Sequence, residues 1–234
     1  MATYVLVHGG WSGAHGFRHV RPLLTQSGHE VFTPSLTGIG ERVHLVSPQV
    51  GLHTHVRDVV NQMLYEDLHD VVLLGFSYGG FVVTGALEHI ASRVGHLVFL
   101  DAFVPDDGDS VFGLTGRPLP SALEVGESWL VPPVPRDFDD PAEAEFATAR
   151  RTPHPIGCFT ESVRLLQPLE DFPFGRTYIR ATADHADAPG AAVFDAAAVR
   201  ARDSSAWQYR EIATNHMVAS NRPAELAQLL LEIA

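Results

Sequence analysis

The stretch from Val71 to Gly85, with the sequence VVLLGFSYGGFVVTG, constrains the fold of this chain more than any other. It opens with a short apolar run rich in β-branched residues, which is typical of a buried parallel strand. From Tyr78 onward, small and apolar residues predict the start of a helix. Gly75 and Gly79 let the backbone turn sharply between the two elements. The pattern therefore predicts a strand-turn-helix unit that exposes the Ser77 hydroxyl at the helix N-terminus.

Ser77 is a candidate nucleophile if a base can take its proton, and a neutral imidazole is the usual base. Where a serine occupies such a turn, the acid and then the histidine come from loops after later strands. His216 follows the predicted strand Trp207–Ile212 and is the only histidine after residue 185. We therefore predict that His216 is the base that activates Ser77.

The acid that orients His216 is expected at the end of the preceding predicted strand, Arg176–Ala183. Asp184 directly follows that strand and is the predicted acid, while Asp187 in the same loop is a second candidate. Asp101, at the end of an earlier predicted strand, is a further alternative. Such an acid holds the imidazole tautomer and stabilises the imidazolium, an effect of about 10⁴ in rate.

Negative charge that develops on a substrate oxygen requires hydrogen-bond donors that are already in place. We predict that the backbone N–H groups of Gly10 and Tyr78 form this oxyanion hole. Tyr78 directly follows the candidate nucleophile at a helix N-terminus, and Gly10 lies in the turn after the first predicted strand. Each donor of this kind contributes about 3 to 4 kcal/mol in comparable enzymes.

Apolar runs alternate with amphipathic segments along most of the chain, which predicts an α/β fold with a mostly parallel, doubly wound sheet. The alternation breaks from Phe103 to Phe174, where the sequence predicts helices at Pro141–Arg151 and Cys158–Leu166. A connection of that length without structure would be abnormal inside one domain. We therefore predict a helical cap over residues 103–174, inserted into a core of residues 1–102 and 175–234. About six strands are predicted: Tyr4–Val7, Glu30–Pro34, the run from Val71, His96–Asp101, Arg176–Ala183 and Trp207–Ile212.

Composition narrows the classes of partner. The 234 residues carry a formal net charge of −12, which repels nucleic acids and anionic membrane surfaces. Cys158 is the only cysteine, so no internal disulfide forms and a reducing compartment is favoured. The N-terminus has no basic segment followed by a long apolar run, and no run reaches the length of a membrane span. We therefore expect a cytoplasmic protein that acts on a small molecule.

No cofactor or metal site is predicted. The sequence contains neither a dinucleotide-binding fingerprint nor a P-loop. His15 and His19 are four residues apart, and His53 and His55 are two apart. Neither pair has a third ligand at a convincing spacing, so a metal site is not favoured.

Stretches spread over nearly the whole predicted core resemble the methylesterase and hydroxynitrile lyase branch of the α/β-hydrolase superfamily. The resemblance implies an α/β-hydrolase fold and a cofactor-free enzyme with an apolar pocket under a helical cap, in many members a homodimer. The family's triad maps onto Ser77, Asp184 and His216, and its oxyanion donors map onto Gly10 and Tyr78. The matching stretches are YVLVHGGWSGAHGF, RPLLTQSGHEV, VVLLGFSYGG, HLVFLDAFVPDD, RTYIRATADH and NHM.

The resemblance also separates two reactions. Lyases of this branch carry Thr after the histidine of the first loop and Lys after the catalytic histidine, whereas this chain has Gly9 and Met217. Without that Lys a cyanide leaving group lacks its cationic partner, so hydrolysis of small, largely apolar esters is favoured. We expect Trp11, Trp129 and Met217 to contact the substrate. A lyase or C–C bond-cleaving enzyme with the same triad, and a non-catalytic receptor, are the alternatives.

Overall fold

Six parallel strands form the main sheet in the computed structural model, which describes residues 1–117, 129–183 and 190–233. Their spatial order is β2-β1-β3-β4-β7-β8, with the strand that leads to Ser77 near the centre. The six-stranded α/β fold expected from the sequence is confirmed. The strands are β1 (Thr3–Val7), β2 (Glu30–Phe32), β3 (Val71–Phe76), β4 (Val94–Leu100), β7 (Gly175–Ala181) and β8 (Gln208–Ile212).

Helices cover both faces of this sheet, as the doubly wound prediction requires. One face packs against α1 (Val20–Gln26) and α9 (Pro223–Ile233). The other face packs against α2 (Leu52–Tyr65), α3 (Gly79–Ile90) and α7 (Ala191–Arg202). Two separate apolar clusters result, one on each side of the sheet. Within the described ranges, no helix combines the length and the apolar character that crossing a membrane demands.

The turn between β3 and α3 depends on close backbone approach. A Cβ atom on Gly75 would lie 2.6 Å from the Gly79 carbonyl oxygen, and one on Gly79 would lie 2.7 Å from the carbonyl oxygen of Val7. Only glycine fits at both positions, because real Cβ atoms do not approach so closely. Ser77, between them, has a φ of 54°, in the left-handed region that side chains disfavour. The sharp turn expected at Ser77 is therefore present.

The segment after β4 contains more structure than its sequence predicts. It holds α4 (Val111–Leu114), α5 (Pro141–Thr148) and α6 (Gly157–Thr160), with an antiparallel pair of short strands, β5 (Leu130–Val131) and β6 (His154–Pro155). The helix predicted at Cys158–Leu166 is wrong in length, since α6 ends at Thr160. The following backbone is bonded elsewhere: the N–H of Val163 donates to the carbonyl of Asp109. The boundaries of a cap at residues 103 and 174 stay a prediction.

Glu143 on α5 attaches this segment to the core. Its buried carboxylate accepts hydrogen bonds from Arg18, from His19 at 3.0 Å and from the Ser220 hydroxyl at 3.0 Å. Phe146, one turn later, lies 3.6 Å from the Arg18 guanidinium measured to the ring centroid, an attractive cation–π contact. Charged and aromatic contacts therefore fix α5 above the first loop of the core.

Replacing Gly80 by Ala should destabilise the fold. A Cβ at this position would lie 2.1 Å from the carbonyl oxygen of Phe103, a backbone atom that cannot move aside easily. We expect the free energy of unfolding to fall by about 2 to 3 kcal/mol, as in other overpacked cores. Urea denaturation measures the change. In the matched variant Gly113→Ala, the nearest atom is the Ser110 hydroxyl oxygen at 3.2 Å, and stability should be retained. Equal urea midpoints for the two variants would contradict the packing argument.

Candidate active site

Ser77 and His216 lie together above the carboxyl ends of the central strands. The His216 Nε2 atom is 3.0 Å from the Ser77 Oγ atom, which is hydrogen-bond distance. Both residues are buried, with exposed fractions of 8% and 3%. Two residues that are 139 positions apart in the sequence therefore meet, as a hydroxyl nucleophile and an imidazole base would have to meet.

The imidazole of His216 is oriented by aromatic rings as well as by hydrogen bonds. It follows β8 in the loop before α8 (Val218–Asn221). The rings of Phe76 and Phe194 lie on it with centroid separations of 4.8 and 5.1 Å. Its Nδ1 atom is 2.6 Å from the Oδ2 atom of Asp101. Because a carboxylate only accepts, Nδ1 carries the proton and the Nε2 lone pair faces the Ser77 hydroxyl.

Asp101 directly follows β4 and is fully buried. Its second oxygen, Oδ1, accepts hydrogen bonds from the Arg180 guanidinium and from the N–H of Ala181 at 3.1 Å. Burial alone would raise the pKa of this carboxyl, but the hydrogen bond and charge of His216 and the charge of Arg180 lower it below its ordinary value. Asp101 is therefore ionised at neutral pH.

Asp184 and Asp187, the two candidates for the acid in the loop after β7, lie outside the described residues. The role predicted for Asp184 therefore stays a prediction. Within the described ranges, a carboxylate at His216 Nδ1 is supplied by Asp101, which the sequence offers as an alternative acid. Asp101 also has a φ of 41°. A strained backbone at a fully buried charged residue is a frequent mark of a functional site.

Arg180 is a site residue that the sequence reasoning missed. Strands β4 and β7 are neighbours with Leu100 opposite Ile179, so the next residues, Asp101 and Arg180, fall side by side. The outer edge of the guanidinium donates to the exposed carboxylate of Asp195 at 2.7 Å. The available signal was an arginine at the carboxyl end of a predicted buried strand, since a cation rarely lies there without a buried partner.

The two predicted oxyanion donors are close to each other. A Cβ on Gly10 would lie 3.7 Å from the Cβ of Tyr78, so the two backbones approach across the top of the sheet. Within the described part of the chain, neither N–H group donates to a protein acceptor. The next N–H, that of Trp11, is already used, because it donates to His154 Nδ1 at 3.2 Å. The geometry is compatible with the predicted oxyanion hole, whose role stays a prediction.

The Tyr78 side chain ends in a buried polar cluster. Its hydroxyl is 3.0 Å from His55 Nδ1, while His55 Nε2 donates to the carbonyl of Thr37 at 2.8 Å. Nδ1 therefore accepts from the tyrosine hydroxyl. Burial lowers the pKa of His55 to about 4 and raises the pKa of the neighbouring Cys158 thiol. The cluster is neutral at physiological pH and fixes the Tyr78 ring under α6.

His55, His154 and Cys158 also form a group whose donor atoms lie within 4.8 Å of one another, a spacing that a metal ion could bridge. Their protonation fits a metal poorly. Metal binding requires a thiolate and free imidazole lone pairs, whereas the Cys158 thiol is held protonated and the lone pair of His55 Nδ1 is occupied by the Tyr78 hydroxyl. These residues are better described as a hydrogen-bonded support for Tyr78.

A cavity of about 230 Å³ opens beside Ser77. Trp11, which the sequence predicts as a substrate contact, forms part of its wall, and the Trp11 indole donates to the carbonyl of Val131 at 2.9 Å. Trp129 and Met217 do not line this cavity in the described structure, so their roles stay predictions. Six aromatic residues contribute to the wall: Trp11, Tyr78, Phe103, Phe112, Phe159 and Phe194. The site therefore suits a small, largely apolar molecule.

Comparisons with known proteins bear on the family and the fold. The model of the alpha/beta hydrolase family matches residues 4–229 of the chain. An extracellular α/β-hydrolase from a Paenibacillus species superposes with a TM-score of 0.82 at 23% identity, covering 100% of this chain and 99% of that chain. A pyrethroid hydrolase from Sphingobium faniae gives a TM-score of 0.71 at 20% identity, covering 99% of this chain and 96% of the other. These likenesses confirm the fold.

Among proteins of described activity, the chain is 46% identical over 125 residues to a carbendazim-hydrolysing esterase from a Nocardioides species. That match covers 53% of this chain and 52% of the relative, so it spans about half of each protein. A methylesterase from Arabidopsis thaliana is 27% identical over 189 residues, covering 78% of this chain and 68% of the relative. The second relative is a methylesterase, the kind of protein that the sequence stretches resemble.

Replacing Arg180 by Gln should lower the expected esterase activity and shift the acid limb of the kcat/KM profile to higher pH. Without the guanidinium, the negative charge of Asp101 is less compensated and favours the protonated imidazole of His216. Losing one partner of a buried ion pair should also reduce the free energy of unfolding by about 3 to 5 kcal/mol. pH–rate profiles and urea titrations measure the two effects.

Two variants control for the Arg180→Gln result. Arg180→Lys retains the charge and should leave the acid limb close to its original position. Asp195→Asn removes only an exposed partner and should cost less than about 1 kcal/mol. A folded Arg180→Gln protein with an unmoved acid limb would show that Arg180 does not act on His216 through Asp101.

Proposed function

Because the chain belongs to the alpha/beta hydrolase family, we propose that it is a serine hydrolase that cleaves small carboxylic esters through an acyl-enzyme. The observation that carries the proposal is the continuous chain of hydrogen bonds from Ser77 through His216 to Asp101, with separations of 3.0 and 2.6 Å. A hydroxyl, an imidazole and a buried carboxylate in this order are the groups that nucleophilic acyl transfer requires.

In the first half of the reaction, Ser77 Oγ attacks the carbonyl carbon of the ester while His216 Nε2 takes the hydroxyl proton. The tetrahedral intermediate then expels the alcohol, which receives that proton from the imidazolium. The products of this half are an acyl ester on Ser77 and a free alcohol. In the second half, His216 removes a proton from water and the resulting hydroxide attacks the acyl carbon. The bond from that carbon to Ser77 Oγ then breaks, which releases the acid, and the imidazolium returns its proton to Oγ.

Asp101 and the two backbone donors act on charge that appears during the reaction. Asp101 accepts from Nδ1, keeps Nε2 as the proton acceptor and stabilises the imidazolium. The N–H groups of Gly10 and Tyr78 are proposed to bind the oxyanion, and their lack of other acceptors in the described structure supports this role. Because these N–H groups are already oriented, they stabilise the oxyanion without the reorientation that water molecules would have to undergo.

The substrate is proposed to be a small ester with an apolar or aromatic body. The aromatic wall of the cavity and its volume of about 230 Å³ support that class. The names of the relatives, a carbendazim-hydrolysing esterase and a methylesterase, support ester cleavage in general. A cytoplasmic location and a homodimer stay predictions.

Ester hydrolysis is favoured over the lyase reaction by the residues available near the base. The chain is 32% identical over 109 residues to an α-hydroxynitrile lyase from Arabidopsis thaliana, which covers 44% of this chain. However, the position after His216 is Met217, and the 234 residues include no lysine. A departing cyanide would therefore lack the ammonium group that the resemblance associates with lyases.

A fluorophosphonate probe should label Ser77, and Ser77→Ala should lose labelling and at least about 10³ in turnover. The reason is that the turn between β3 and α3 presents this hydroxyl to the cavity and to His216. Peptide mapping of the labelled protein and assays with methyl, alkyl and aryl esters are the measurements. Label on another residue would refute the assignment of the nucleophile. Unchanged ligand binding and biological output in Ser77→Ala would favour the receptor alternative.

Asp101→Asn should reduce kcat far more than Asp184→Asn if the carboxylate bonded to His216 is the working acid. The amide would present an N–H to Nδ1 and favour the wrong imidazole tautomer, an effect of about 10⁴ in a well-studied serine protease. Steady-state kinetics of both variants, with folding checked by circular dichroism, provide the comparison. The opposite order would assign the acid to Asp184 and leave Asp101 as the buried partner of Arg180.

A further inference from the structure

The turn that carries one of the proposed oxyanion donors, Gly10, is bonded to the segment after β4. Trp11, the next residue, forms three hydrogen bonds to that segment. Its N–H donates to His154 Nδ1 at 3.2 Å, and its carbonyl accepts from the N–H of Thr152 at 3.2 Å. Its indole N–H donates to the carbonyl of Val131 at 2.9 Å. The first loop of the core therefore keeps its shape through residues that lie 120 to 143 positions later in the chain.

The backbone around Gly10 depends on these contacts. Trp11 has a φ of 60°, in the left-handed region that a large side chain disfavours, so the surrounding structure must fix it. On the other side of Gly10, the carbonyl of Gly9 accepts from His8 Nδ1 at 2.9 Å. Because each peptide group is planar, bonds to the Gly9 carbonyl and to the Trp11 N–H fix the two peptide planes that flank Gly10. The position and direction of the Gly10 N–H therefore depend on both bonds.

The imidazole of His154 lies between the two proposed donors. A Cβ on Gly10 would lie 3.4 Å from His154 Nδ1. The Tyr78 ring meets the same imidazole edge to face, with the ring centroids 4.9 Å apart and the ring planes at 80°. One side chain thus contacts the residues on both sides of the proposed oxyanion hole. Its size and placement set the spacing between the two turns.

The protonation of His154 suits the acceptor role of Nδ1. The residue is fully buried, and this burial, with smaller contributions from His55 and His8, lowers its pKa well below the ordinary value. Since Nδ1 accepts the Trp11 N–H, the proton is on Nε2, which has no hydrogen-bond partner among the described residues. A buried donor without an acceptor destabilises a protein, and an apolar side chain of similar volume would avoid that cost. The property that only a polar residue supplies here is the acceptor at Nδ1.

We propose that His154 is a positioning residue for the reaction, because it fixes the turn at Gly10 against Tyr78 and so sets the geometry in which the oxyanion is bound. This inference rests on the proposed function, since it assumes that Ser77 attacks an ester carbonyl. In the described structure His154 does not line the cavity beside Ser77, so it acts through Trp11 and Tyr78 and not on the substrate. The segment after β4 therefore contributes to transition-state stabilisation as well as to the cavity wall.

The first test measures hydrolysis of phenyl acetate by three variants. His154→Leu removes the acceptor, so kcat should fall by about tenfold to a hundredfold, less than the loss of a whole donor. KM should stay within about twofold, because the oxyanion contact forms only in the transition state. His154→Asn offers an oxygen close to the position of Nδ1 and should restore kcat to within about threefold of the wild type. His154→Gln offers its oxygen near the position of Nε2 and should stay as slow as His154→Leu.

A pair of ketones separates oxyanion binding from general damage to the cavity. Phenyl trifluoromethyl ketone accepts Ser77 Oγ at its carbonyl carbon, His216 takes the hydroxyl proton, and the ketone oxygen becomes an oxyanion. Acetophenone has a similar shape and serves as the ligand that binds without forming the adduct. In His154→Leu, the inhibition constant of the trifluoromethyl ketone should rise by about tenfold or more, while that of acetophenone stays unchanged. Equal weakening of both ketones would overturn the positioning role.

His96→Leu is the matched control. His96 is a half-buried imidazole whose Nε2 atom is 2.8 Å from the Thr177 hydroxyl oxygen. It lies in the amino half of β4, whereas Ser77 lies beyond the carboxyl ends of the strands. Replacing it removes a histidine hydrogen bond of similar length, and kcat for phenyl acetate and both inhibition constants should stay at their wild-type values.

The outcomes distinguish this inference from the proposed function. A folded His154→Leu protein with wild-type kcat, or a His154→Asn protein as slow as His154→Leu, would overturn the inference. An inactive Ser77→Ala protein would leave the proposed function standing in both cases. Full activity in Ser77→Ala would overturn the proposed function and the inference together. If His154→Leu does not fold by circular dichroism, equal kcat values for His154→Asn and His154→Gln would overturn the inference, and the expected difference between them would support it.

Discussion

The candidate site and much of the sheet depend on the hydrogen bonds and the ion pair of one fully buried carboxylate, that of Asp101. A carboxylate without partners in such a position would cost several kcal/mol, so its partners are a condition of folding. Three groups supply these partners: Arg180 and the N–H of Ala181 on the neighbouring strand, and His216 in the loop after β8. The groups that compensate the charge of Asp101 therefore align β4, β7 and the loop after β8. The same geometry orients the His216 imidazole toward Ser77.

Ser77 and Asp101 are both held in strained backbone conformations at the ends of adjacent strands. Ser77 has a φ of 54° and Asp101 has a φ of 41°. Each is tied to the next strand: the N–H of Ser77 donates to the carbonyl of Leu100 at 3.2 Å, and the N–H of Asp101 donates to that of Ile179 at 2.7 Å. Strain of this kind persists only where the surrounding structure fixes it. The parallel sheet supplies that rigidity, so the site is organised before a substrate binds.

The parts of this arrangement that could be predicted from sequence are those specified locally. The turn at Ser77 follows from glycine spacing, and His216 follows from its place after the last strand. The choice between Asp101 and Asp184 was beyond local reasoning, because both follow predicted strands and only the pairing of β4 with β7 brings Arg180 beside one of them. The predicted length of helix α6 was too great for a related reason. The N–H groups of Val163 and Leu165 donate to Asp109 and Asp107, a contact that no periodicity in the sequence encodes.

The environment of each ionisable group near Ser77 determines whether that group is charged or neutral. Beneath Tyr78, full burial keeps His55 and Cys158 neutral, so this cluster adds rigidity without adding a charge near Ser77. At Asp101 the charge is retained because Arg180 and His216 compensate it. A neutral support and a compensated carboxylate thus lie on two sides of Ser77, and together they fix the side chains around its hydroxyl.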